Sequence, residues 1–201
     1  MESITNSAAV RALYPAPKER VLRKVLPCLD THCARFIALS PFCVLASVDA
    51  DDCPDMSPRG GAPGFVQLLD EHTLLLLDRP GNNRLDSLSH VADRPAVALL
   101  FFVPGVDEVL RVYGTATILP AGSFEHERDA GKPAVSALKI SVQRAFFHCA
   151  KALMRAHLWS EDARIDRACF PTLGEIMHDQ LGETTPAESQ EEMICRFLPE
   201  F

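Results

Sequence analysis

The residues best suited to bind a charged ligand lie in Asp78-Arg-Pro-Gly-Asn-Asn-Arg-Leu-Asp-Ser-Leu88. An apolar run, Thr73 to Leu77, precedes them, and Leu85, Leu88 and Val91 follow at helical spacing. Pro80 and Gly81 break the strand, and Asn82 or Asn83 can accept the first free amides of a helix starting near Asn83. A helix start with unpaired N–H groups and a guanidinium, Arg84, one step inside it can receive a phosphate. A Pro-Gly-Asn turn before a helix is more often only a turn, so the local chemistry leaves both readings open.

Three further sets could share that task. Ser57 and Arg59 alternate on one predicted strand and so project to the same side. Arg111 lies on another strand, Val109 to Leu119, whose side chains alternate between a core face and a polar face. His148, Lys151 and Arg155 recur three and four apart on a segment read as a helix from Arg144 to Trp159, with Phe147, Ala150, Leu153, Met154 and Leu158 on its other face. A solvated basic face is the ordinary explanation of that stripe.

The elements that must position these residues are mostly strands. Phe42 to Val48, Asp55 to Arg59, Phe65 to Leu69, Leu74 to Leu77, Ala96 to Val103, Val109 to Leu119 and Ala134 to Val142 read as strands joined by short turns. Residues 17–40 carry apolar side chains at helical spacing, with Pro27 splitting them into two helices, and 120–133 read as a polar surface helix or loop. Helix-like pieces at Thr172 to Leu181 and Pro186 to Phe197 close the chain. Antiparallel strands with one inserted helix predict a mainly β fold, a small barrel with flanking helices, in a single domain over residues 1–201.

Composition narrows the function. The chain has 201 residues, 47% of them hydrophobic, enough for one sizeable core. Its formal net charge of −7 argues against nucleic acid and anionic membrane as partners. No apolar run is long enough to cross a bilayer, which places the expected protein in the cytoplasm. The seven cysteines lack a C-x-x-C pair, which predicts reduced thiols, with Cys43 and Cys149 as core residues and no metal site.

Pro54-Asp-Met-Ser-Pro-Arg-Gly60, the turn after Asp78, Val97-Ala-Leu-Leu-Phe-Phe-Val103 with Pro104-Gly105, and Leu110-Arg-Val-Tyr-Gly-Thr-Ala116 occur in this order. Together they resemble the flavin-binding split barrels related to pyridoxamine 5′-phosphate oxidase, over Phe42 to Leu119 and more weakly over His148 to Trp159. The resemblance implies an antiparallel FMN-binding split barrel that works as a homodimer, with each FMN at the subunit boundary. Its cofactor-binding residues would be Met56, Ser57, Arg59, Asn82, Asn83, Arg84, Arg111, Lys151 and Arg155. The chain departs from the family at the turn, where Asn83 then Arg84 stand in place of Arg then Lys. It departs again at Val109, where relatives carry a polar residue, and Trp159 does not fit the vitamin B6 contacts, so oxidation of that vitamin is not expected. Three functions stay open: an FMN-dependent oxidoreductase of a small organic substrate, a non-enzymatic flavin-binding or stress-related protein, and a split barrel that uses haem or a deazaflavin.

Overall fold

A computed structural model describes residues 3–124 and 133–198. Most of the expected 120–133 segment, residues 125–132, lies outside the described residues. Three short helices open the chain, α1 (Ser7–Ala12), α2 (Glu19–Arg23) and α3 (Thr31–Leu39). The strands are β1 (Phe42–Val48), β2 (Pro54–Gly60), β3 (Val66–Asp70), β4 (Thr73–Asp78), β5 (Ala96–Val103), β6 (Val106–Pro120) and β7 (Ser136–His148). Helix α4 (Asp86–Asp93) joins β4 to β5, and α5 (Lys151–Ala156), α6 (Leu173–Leu181) and α7 (Gln190–Phe197) follow β7.

All seven strands form one antiparallel sheet in the order β2-β1-β5-β6-β7-β4-β3. Alternation decides which face is buried: Cys43, Leu45, Leu99, Phe101, Leu110, Val112 and Ile140 point inward and are almost fully buried. Helix α3 adds Cys33, Phe36 and Ile37 to this core, with Asp30 capping it by accepting a 2.8 Å hydrogen bond from the Cys33 amide. Although β2 and β4 are far apart in strand order, Arg59 of β2 reaches Asp78 of β4, so the sheet is curled.

One bulge shapes the outer face. Tyr113 pairs with Arg144 but Gly114 pairs with Val142, which leaves Gln143 extra in β7. A Cβ on Gly114 would lie 2.1 Å from the Ser141 carbonyl oxygen, so this close approach requires glycine. Beyond the bulge Ala145 and Phe147 point inward while Arg144, Phe146 and His148 point outward.

The structure departs from two expectations. The segment from Arg144 is strand to His148, and the helix after it is only Lys151–Ala156. The 15-residue β6 supplies a partner as far as the Val109–His148 pair, and that non-local ladder overrides the helical spacing of the apolar residues. Cys149, expected in the core, is exposed just past the strand end. Between α2 and α3 the chain is extended. There Leu26 and Ala145 exchange two backbone hydrogen bonds of 2.9 Å, covering the β7 edge that β4, which pairs only as far as Ser141, leaves open.

Candidate functional site

Strand β2 is a sheet edge, and an edge tolerates Pro54 and Pro58 because their missing amides need no partner. Its pleat puts Asp55, Ser57 and Arg59 on one half-buried side and turns Met56 outward. Opposite them, β4 ends at Asp78 and the chain turns through Pro80 to Leu85. These two segments enclose a polar cavity of about 300 Å³ lined by Ser57, Arg59, Asn82, Asn83 and Arg84 among others. The expected phosphate residues of β2 and of the turn are thus brought together.

Arg59 is held in place there. Its Nη1 donates to Asp78 Oδ1 at 2.9 Å, with both side chains about one-fifth exposed, while its Nε is buried without a hydrogen-bond partner. An unsatisfied buried guanidinium N–H is costly and calls for an acceptor. Neighbouring Cys43 cannot supply an anion, because burial pushes its thiol up to about 12 despite the nearby guanidinium.

The turn differs from the expected cap. Helix α4 begins at Asp86 rather than Asn83, because Asn83 and Leu85 both adopt left-handed backbone, with φ of 58° and 59°, which a right-handed helix excludes. Asn82 Oδ1 accepts from the Arg84 amide at 3.1 Å, so it braces the turn, and no side chain caps α4. Arg84 grips Asp86 through Nε at 2.9 Å and Nη2 at 2.8 Å and stands largely exposed. Three arginines and three aspartates line the cavity, so its formal charge is balanced before any ligand enters.

Helix α4 is fixed to the sheet through His90. Its Nδ1 lies 3.1 Å from Ser47 Oγ and 3.8 Å from Asp55 Oδ2. Serine, histidine and aspartate therefore meet, but serine and aspartate approach the same ring nitrogen and Ser47 is buried. A nucleophilic triad needs them on opposite nitrogens, so this cluster is a brace.

A second cavity, about 430 Å³, lies on the outer face of β1, β5 and β6, floored by Val44, Ala98, Leu100 and Phe102. Arg111, Tyr113 and His148 also line it, and Met56 lines both cavities. Tyr113 and Phe146 stack with centroids 6.0 Å apart at 13°. The Arg111 guanidinium lies 5.3 Å from the Tyr113 ring and 5.2 Å from Phe146, and Arg144 sits 4.1 Å over Tyr113. Lys24 joins them, 5.6 Å from Phe146, while its Nζ donates to the Phe147 carbonyl. Arg144 and Tyr113 were not singled out in the sequence. The alternation Arg144-Ala-Phe-Phe-His148 was the available signal. Ala152 and Leu153 of α5 line this cavity, whereas Lys151 and Arg155 on the same helix are exposed and line neither, Arg155 donating to the Lys151 carbonyl.

Among the described residues no group of three or more His, Cys, Asp or Glu is placed to hold a metal ion, and no helix is long and apolar enough to cross a membrane.

Among curated proteins none matches this chain. Several solved structures are similar at low identity. HupZ from Group A Streptococcus is 19% identical, with 59% of this chain and 92% of that one covered and a TM-score of 0.45. General Stress Protein 26 from Bacillus anthracis is 15% identical, with 58% and 94% covered and a TM-score of 0.40. A related protein of the pyridoxinephosphate oxidase family from Clostridium acetobutylicum is 12% identical, with 57% and 83% covered and a TM-score of 0.41. The family model for pyridoxamine 5′-phosphate oxidase matches residues 29–149, which hold the sheet, the polar cavity and all of the apolar cavity's lining but Ala152 and Leu153, and this chain belongs to that split-barrel family.

Proposed function

We propose that this chain binds FMN, as a homodimer with each flavin at the subunit boundary, and acts as an oxidoreductase on a small organic molecule. One observation carries the reading: a polar cavity that can take a phosphate adjoins an apolar cavity that can take a planar ring, and Met56 borders both. Arg59 is the principal phosphate residue, since its buried Nε lacks an acceptor that a phosphate oxygen would supply. Ser57, Asn82, Asn83 and Arg84 complete that end, and the uncapped start of α4 contributes amide N–H groups.

FMN, when bound, supplies hydride transfer at its ring. The chain's own residues do the rest. Val44, Leu100 and Phe102 give an apolar wall that keeps water from the ring, and Arg111 brings a positive charge to the cavity edge, where it favours an anionic ring. Lys151 and Arg155 are proposed to add positive charge over the cavity mouth, next to the lining residues of α5. The wall is open on its outer side, and a second copy would close it.

The test is the spectrum of the purified protein and its titration with FMN and with riboflavin. An oxidised-flavin spectrum, and FMN bound at least tenfold more tightly than riboflavin, are expected. Equal affinity for the two would remove the phosphate cradle. Bleaching by NAD(P)H that a substrate reverses would identify an enzyme rather than a carrier. His148 on the apolar cavity favours a second reading, haem, whose iron its imidazole would hold, and a haem absorbance band in place of flavin would establish it.

A further inference from the structure

Charge is unevenly distributed along this chain. Residues 157–201 hold ten acidic and three basic side chains, a net charge of −7, which equals that of the whole chain, so residues 1–156 are balanced. The acidic segment leaves the sheet at Trp159, whose Nε1–H donates to the Val106 carbonyl at 2.9 Å. Beyond that anchor α6 and α7 make no extended contact with any strand.

The segment is nonetheless built. Gly174 packs against the Glu188 backbone so closely that a Cβ would lie 2.3 Å from its carbonyl oxygen. Both helices carry full capping boxes, and Arg196 holds Glu188 by two hydrogen bonds of 2.8 Å. On its outside, Leu173, Met177 and Leu181 recur every four residues along one face of α6 and are 55%, 48% and 63% exposed, with Phe170, at 61%, before them. A capped helix pair that leaves an apolar stripe in water presents the kind of surface that a partner covers.

The outer face of β6 and β7 has the complementary character. Tyr113 and Phe146 form an aromatic shelf with Arg111, Arg144 and Lys24 around it, and no described carboxylate pairs with Arg111 or Arg144. An acidic element with an apolar stripe thus lacks a partner in the same chain that holds a cationic aromatic face without one.

We propose that the occupant of this face is the acidic helix pair, residues 160–198, of a second copy of the chain. Exchange about a two-fold axis satisfies both surfaces twice, which is how a self-complementary interface closes. The stripe then covers the aromatic shelf, the acidic side chains meet Arg111, Arg144 and Lys24, and the arm lies across the apolar cavity of its partner. The proposal rests on the dimer reading above and adds the element that makes it, independently of what fills the cavity.

The experiment uses the whole chain in two isotopic forms, 14N and 15N, refolded together, with mixed dimers identified by native mass spectrometry. A zero-length carbodiimide then joins carboxylates to lysine amines. Expected are links from Lys24 to carboxylates of residues 161–192 that join a light peptide to a heavy one. Only same-isotope links would place the arm on its own barrel. No arm-to-Lys24 links, or a monomer throughout, would put it elsewhere, and each result overturns the proposal. As a second measure, Met177→Asp and Leu181→Asp, at exposed positions, should weaken dimerisation at least tenfold, and unchanged dimerisation would refute the stripe. Flavin absorbance of the same samples reports separately on the cofactor reading.

Discussion

Arg59 donates to Asp78 at 2.9 Å across the curl of the sheet, joining an edge strand to the end of β4 at the one place where the turn toward α4 begins. The bond fixes Nη1 and leaves Nε without an acceptor, so Asp78 orients the guanidinium and also puts a negative charge beside the position a phosphate would take. Asp78→Asn keeps an oxygen for Arg59 and removes that charge. FMN should bind about tenfold more tightly, roughly 1.4 kcal/mol, with riboflavin affinity unchanged. Fluorescence titration of both ligands checks this, and a parallel change for riboflavin would show that Asp78 acts on the fold rather than on the phosphate.

The two arginines of the cradle should differ. Arg84 stands largely in water with Asp86 on its Nε and Nη2, so recruiting it means loosening an existing pair, whereas Arg59 offers an N–H that nothing satisfies. Arg59→Ala should lose FMN by about a hundredfold, the worth of a charge-assisted bond in a partly buried site. Arg84→Ala should lose about tenfold, and the reverse order in a titration would move the phosphate toward the α4 end.

Stability at the bulge depends on one hydrogen atom. Gly114→Ala would force a methyl group into the Ser141 carbonyl, and the β6–β7 ladder is the longest in the sheet. A loss of about 3 kcal/mol or more in urea unfolding is expected. Ala116→Gly, two residues along on the same strand, should cost about 1 kcal/mol, so that the pair separates a steric effect from a general loss of strand propensity.

Helix α3 supplies a pH-dependent test. The Cys33 amide that donates to Asp30 holds this carboxyl below its ordinary value of 3.8. Because the folded value is the lower one, the contribution is complete above 3.8 and fades as pH falls through it. Asp30→Ala should cost about 1 kcal/mol near neutral pH, measured by thermal or urea unfolding. Its deficit relative to the parent should shrink below about pH 4, and a deficit that stays constant there would mean that the cap does not act through its charge.

Much of the frame was legible because its signals are local. Ala96–Val103 is an uninterrupted apolar run and Phe42–Val48 is broken only by Ser47, and both ends of each strand fall where the sequence placed them. Ser57 and Arg59 share a side because a strand alternates. The segment from Arg144 to His148 carries a helical signal because Phe147, Ala150, Leu153 and Leu158 fit a helical stripe. Its strand partner, β6, lies more than 20 residues upstream and gives no local sign. The Arg59–Asp78 pair was hidden for the same reason, since it exists only once the sheet has curled. The sequence places Asn82 or Asn83 at the cap of a helix starting near Asn83, whereas both stand in the turn before α4, because left-handed backbone at Asn83 and Leu85, which composition does not specify, delays the helix to Asp86.

The last test concerns the cations at the apolar cavity. Arg111 lines it and is held against Tyr113 and Phe146, so its charge is fixed close to whatever ring occupies the space. Lys151 and Arg155 sit on α5 beside lining residues but in water, where a charge is screened. A positive group stabilises a reduced, anionic flavin and raises its potential, so methionine at each position, which keeps an apolar stem and removes the charge, should lower it. Arg111→Met should lower the midpoint potential by about 30 mV, the two-electron equivalent of roughly 1.4 kcal/mol. Lys151→Met and Arg155→Met should each lower it by less, and raising the salt concentration should abolish their effect but not that of Arg111→Met. Spectroelectrochemical titration of the three FMN-loaded variants decides the matter: unchanged potentials in Lys151→Met and Arg155→Met at low salt would make the α5 stripe an ordinary solvated surface, and an unchanged potential in Arg111→Met would take the ring out of the apolar cavity.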